Sequence, residues 1–152
     1  MIITFFGHSD FVSTPEVKGR LSEIIEESAR GGELTLYFGG YGNFDEFAFS
    51  VANSLKHKTQ ARHIFVTPYI TESYQKNHLS YIKESYDEIL YPPLEGVPYR
   101  FAISARNKWL VENSDLIVFF VRRSFGGAYT AYLHAKKKGK QIINLCSFSK
   151  TE

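Results

Sequence analysis

Apolar residues along this chain follow two alternating rhythms. Short runs rich in apolar residues at Ile2 to Phe6, Leu34 to Phe38, His63 to Thr67, Glu88 to Tyr91, Leu116 to Val121 and Gln141 to Cys146 read as strands. Leu116 to Val121 is apolar throughout, which requires cover on both faces and marks a central parallel strand. Between the runs the apolar spacing becomes helical. Val17, Leu21, Ile24, Ile25 and Ala29 share one face, and so do Phe44, Phe47, Ala48, Val51 and Leu55 within Asn43 to Leu55. A third helix is predicted from Arg100 to Glu112, with Phe101, Ala105, Trp109 and Leu110 inward, and a fourth from Ala128 to Lys138. Thr14-Pro15 supplies an N-cap and a first-turn proline, while Gly31-Gly32 and Gly139 act as stops. From Tyr69 to about Tyr86 the pattern weakens into a polar insert.

Strands alternating with helices predict right-handed crossovers and a parallel sheet covered on both sides. The expected fold is α/β, a three-layer Rossmann-like doubly wound parallel sheet. The 152 residues make one domain. Ligands of such sheets sit at the C-terminal strand ends, where the strand order reverses.

Four turns should meet there: Gly7-His8, Gly39 to Asn43, Thr67-Pro68-Tyr69 and Arg122 to Gly127. Two of them place paired glycines before a helix. Bare amides at a helix start suit a phosphate, although glycines also serve as plain turn residues. Gly39-Gly40-Tyr41-Gly42 is not the dinucleotide fingerprint, and the first strand lacks one too. Asp45 and Glu46 either complement the positive end of their helix or accept hydrogen bonds from sugar hydroxyls. Arg106 offers a donor fork to a phosphate, or else pairs with an acidic neighbour; Asn107 lies beside it. His8 is a turn residue or an acid/base. The five His have no metal-ligand spacing, and no serine stands in a nucleophile elbow.

Net charge is +2, and a balance this close argues against nucleic acid as a partner. The basic run Lys136-Lys137-Lys138-Gly139-Lys140 ends a helix, where cations complement the carbonyls. Cys146 is the only cysteine, which excludes an intrachain disulfide framework and a Cys-rich zinc site; it reads as a small buried hydrophobe. No apolar run nears the roughly 20 residues of a membrane span, and Met1 to Phe6 lacks a signal-peptide pattern, so the expected compartment is cytoplasmic.

Several segments resemble one group in order along the chain. They are Thr4-Phe5-Phe6-Gly7-His8, Phe38 to Ala48, Tyr91-Pro92, Arg100 to Ile103, Arg106 to Val111, Asn113 to Leu116 and Gly126-Gly127-Ala128-Tyr129. Together they resemble the YpsA-related branch of the SLOG superfamily. The superfamily includes the phosphoribohydrolases called lysine-decarboxylase-like or LOG proteins, and the DNA-processing protein DprA. The resemblance implies a nucleotide or nucleotide-derived ligand and a sensor or regulatory role; no cofactor is expected. It also implies a homodimer or larger assembly. The enzyme members carry Pro-Gly-Gly-x-Gly-Thr-x-x-Glu where this chain reads Phe125-Gly126-Gly127-Ala128-Tyr129-Thr130-Ala131-Tyr132-Leu133. The glycine pair and Thr130 are kept; Tyr132 and Leu133 stand where acidic residues are expected. Arg106 matches the helix position that supplies an active-site Arg in those enzymes.

The expected ligand site is therefore Gly7, His8, Gly39, Gly40, Tyr41, Gly42, Asp45, Arg106, Asn107, Gly126, Gly127, Tyr129 and Thr130. If the protein is an enzyme, it is an N-glycosidic-bond hydrolase drawing on Asp45, Glu46 and Arg106. A single-stranded nucleic-acid module is the third reading.

Overall fold

A computed structural model describes residues 1–40, 42–74, 76 and 84–146. Six parallel strands form one sheet in the order β4-β3-β2-β1-β5-β6. They are β1 Ile2–Gly7, β2 Thr35–Phe38, β3 Arg62–Val66, β4 Glu88–Leu90, β5 Leu116–Phe120 and β6 Gln141–Asn144. The main helices are α1 Pro15–Arg30, α2 Gly42–Ser54, α5 Ala102–Glu112 and α6 Gly127–Lys137; α3 Lys56–Thr59 and α4 Glu72–Tyr74 are short. The fold is Rossmann-like and doubly wound, as the alternating pattern predicts.

The strand order builds outward from β1 through β2 and β3 to β4, then returns to add β5 on the other side of β1. Right-handed crossovers running in opposite directions place their helices on opposite faces. Accordingly Val17, Leu21, Ile24 and Ile25 of α1 pack with Phe44, Ala48 and Val51 of α2 against Ile3, Leu36 and Val118. Leu110 and Val111 of α5 pack with Ala128, Ala131 and Ala135 of α6 against Tyr37, Ile117 and Phe119. Strand alternation sends neighbouring residues to the two cores. The switch point lies between β1 and β5.

Several boundaries differ from expectation. Leu145 and Cys146 are buried, but they lie past the end of β6. Phe101, predicted inward, is 49% exposed, because residues Tyr99–Phe101 form a 3-10 turn ahead of α5. The inward positions of α5 are Ala102, Arg106, Leu110 and Val111. Residues 75 and 77–83 of the predicted polar insert lie outside the described residues.

The lysine run has a local structural use. Lys140 Nζ donates to the carbonyls of Glu112 at 3.0 Å and Ser114 at 3.1 Å, which ties the end of α5 to the exit of α6. Asp115 also serves the sheet: its carboxylate accepts the Ile2 amide at 2.7 Å beside β1.

Candidate functional site

The C-terminal ends of β1 and β5 open into a cleft of about 390 Å³. Its walls include Gly7, His8, Gly39, Gly42, Asp45, Arg106, Asn107, Gly126 and Gly127, all expected at the site. Gly40 and Glu46 instead border a separate recess of about 350 Å³ with Phe49, Phe65 and Tyr86. Asp45 borders both spaces. Tyr129 is half-buried against the core under α6, and Thr130 points to solvent with its hydroxyl donating to the Gly126 carbonyl at 3.1 Å. Neither lines the cleft. Tyr41 lies outside the described residues.

The two glycine turns differ physically. In the turn before α2 the glycines are demanded by packing. A Cβ on Gly39 would stand 3.2 Å from the Arg106 guanidinium, and one on Gly42, at φ +86°, would stand 2.8 Å from Ser9 Cα. The first turn of α2 also spends an amide, since Asn43 N–H donates to the Ser9 carbonyl at 3.1 Å. With Asp45 alongside, this turn is poorly suited to an anion.

The turn before α6 is open. Gly126 adopts φ +96°, which an L side chain would resist. Gly127 has no positive φ, and beyond its chain neighbours and its own helix backbone no described atom lies within 4 Å of its missing Cβ, so packing among the described residues does not require glycine there. Among those residues no side chain caps α6 at Gly126, leaving its first amides without intrahelical partners. At α1, remote from the cleft, Thr14 Oγ1 accepts the Val17 amide at 3.2 Å. By contrast, α6 turns an uncapped start toward the cleft.

Arg106 is only 2% exposed. Its guanidinium donates to the carbonyls of Gly39 at 3.2 Å and Val66 at 2.6 Å, and to Asn107 Oδ1 at 3.0 Å. It thus joins the ends of β2 and β3 and sets the floor of the cleft. These bonds account for an arginine on the buried face of α5.

Arg123 also borders the cleft, from the loop between β5 and α6. One guanidinium nitrogen holds Asp10 at 3.0 Å, and its Nε is buried without a partner among the described residues. A basic residue just ahead of a glycine pair was the sequence signal for it. Asn144 was missed as well. Its side chain accepts the Val121 amide at 3.1 Å and donates to the Val121 carbonyl at 3.0 Å, fixing where the chain leaves β5.

His8 is 3% exposed. Its Nε2 accepts the Arg122 amide at 3.0 Å, tying the end of β1 to the loop after β5. Burial, with Arg123 adding repulsion, lowers its pKa, so the ring is neutral near pH 7.

No family model matches the chain, and no curated protein matches its sequence. Solved structures do match in shape. DNA processing protein A from Helicobacter pylori, described as binding single-stranded DNA, aligns over 93% of this chain with a TM-score of 0.61 and 19% identity. The chain spans 63% of that protein's length. A molybdenum cofactor carrier protein from Chlamydomonas reinhardtii aligns over 93% of this chain and 73% of its own, with a TM-score of 0.58 and 18% identity. The structural genomics target TM1055 aligns over 93% of this chain and 71% of its own, with a TM-score of 0.57 and 16% identity. On this fold one neighbour binds single-stranded DNA, so the balanced charge does not support setting nucleic acid aside. Among the described residues no helix is long and apolar enough to cross a membrane. At these identities the likeness shows the fold alone, which is Rossmann-like.

Proposed function

We propose that the cleft between β1 and β5 binds a nucleotide or nucleotide-derived ligand, and that the protein is a sensor or regulatory member of the YpsA-related branch. The observation that carries the reading is the uncapped start of α6, with a glycine at position 127 that packing does not require, opening at the switch point. The α6 amides and Arg123 hold phosphate. Asp45 and Asn107 take sugar hydroxyls, and the apolar wall of Phe6, Ile103 and Leu110 suits the flat face of a base.

The rival is hydrolysis of an N-glycosidic bond. Asp45 is the one carboxylate lining the cleft among the described residues, and it would have to act at the sugar carbon. A second rival is a single-stranded nucleic acid, favoured by the neighbour that binds single-stranded DNA.

Calorimetric titration with AMP, ADP-ribose and a short single-stranded DNA at two salt concentrations separates the three. Binding of a mononucleotide without release of free base supports the proposal. Base release abolished by Asp45→Asn, with binding kept, moves the protein to the hydrolases. DNA binding that weakens steeply with salt, without mononucleotide binding, moves it to the nucleic-acid modules.

A further inference from the structure

His8 is placed to do more than join two strand ends. Its Nε2 accepts the Arg122 amide at 3.0 Å, so that nitrogen carries no proton. In a neutral imidazole the proton then belongs on Nδ1. Nδ1 has no hydrogen-bond partner among the described residues, yet it is not one of the buried polar atoms cut off from solvent. The ring is 3% exposed and borders the cleft. A single donor is therefore left pointing into accessible space from an otherwise buried side chain. The uncapped start of α6 borders the same cleft, with Gly127 lining it. Arg123 borders the same space, its buried Nε unpartnered among the described residues.

We infer that His8 is a specificity-determining donor. Its neutral Nδ1–H binds a phosphate oxygen of the ligand whose other oxygens take the first amides of α6. The inference rests on the nucleotide-binding reading. It adds that recognition and loop order are coupled through one ring, because the nitrogen opposite the phosphate holds the Arg122 amide in place. Substitutions mimic the two nitrogens separately. In His8→Gln the side-chain carbonyl can still accept the Arg122 amide while the Nδ1 donor is lost. In His8→Asn the donor position is filled and the Arg122 amide is released.

The test is long-range proton–nitrogen NMR of the histidine ring in the intact protein, titrated with AMP and with inorganic phosphate. The expected result is a ring protonated at Nδ1 whose Nδ1 signal shifts with the amides of Gly127 and Ala128. His8→Gln should keep the Arg122 amide protected from exchange and weaken AMP binding about tenfold or more, the usual scale for one hydrogen bond to a charged group. A ring protonated at Nε2 overturns the inference. So does a His8→Gln protein that binds AMP as tightly as the parent. If the α6 amides move while Nδ1 does not, His8 is outside the site and the nucleotide reading stands. If neither moves with AMP or phosphate, both readings fall together.

Discussion

At His63 both ring nitrogens are buried without a partner among the described residues, against the rings of Phe38 and Phe49. Burial, with the nearby Lys56 ammonium adding to it and Asp87 opposing it, lowers the pKa to about 4. The folded state therefore resists a proton that the unfolded chain accepts near 6.5. The stability this residue contributes is complete above pH 6.5 and is lost as pH falls toward about 4. The loss should approach ~3 kcal/mol. Urea unfolding across that window measures it, and His63→Phe should flatten the slope. An unchanged slope would show that another group sets the acid limb. Nothing in the apolar run from His63 to Thr67 shows this, because a buried histidine and an exposed one are written alike. The same holds at Arg106. Its candidacy was legible from residue type and position, but its bonds to Gly39 and Val66 depend on strand ends that only the fold brings together. Arg106→Lys, lacking the planar fork, should cost about 1.5–3 kcal/mol in thermal or chemical unfolding. Loss of ligand binding in an Arg106 variant therefore does not by itself report ligand contact.

At the scale of elements, the two glycine turns looked equivalent in sequence and are not. The turn before α2 is crowded, while the turn before α6 is bare. Crowding extends to the end of β1, where a Cβ on Gly7 would stand 2.2 Å from Phe44 Cγ. Phe44 is fully buried beside Phe11, so it has little room to yield. Gly7→Ala should destabilise by about 1–3 kcal/mol, read as a lower denaturant midpoint. Gly127→Ala should behave in the opposite sense. The methyl meets open space at a helical position and should leave stability unchanged or raise it by about 0.5 kcal/mol. It should also weaken nucleotide binding, by covering the amides. The period of the apolar pattern located α1, α2, α5 and α6 correctly, because their buried faces repeat along each helix. It overreached at Phe101, where a turn preceding the helix carries the ring outward.

For the whole molecule, the order β4-β3-β2-β1-β5-β6 places the crevice beside β1 and β5. Alternation of strands and helices was enough to predict the sheet and its layers. Parallel strand direction puts all C-terminal ends on one edge, and three of the four turns expected there border the cleft; Thr67-Pro68-Tyr69 does not line it. Tyr129 and Thr130 were expected at the site from the resembled glycine-pair motif, but helix rotation turns one toward the core and the other to solvent. Helical phase at a helix start is set by the loop that feeds it, here fixed by Asn144 and His8. The central claim is that α6 presents its bare N-terminus to the phosphate of a nucleotide-type ligand. A thermal-shift comparison of the parent protein and Gly127→Ala, with mononucleotides, dinucleotides, ADP-ribose and inorganic phosphate, tests it most directly. The predicted result is a rise in melting temperature for at least one phosphate-bearing compound, strongly reduced in Gly127→Ala although that variant unfolds no earlier than the parent. A rise of equal size in both proteins, or none with any compound, would contradict it.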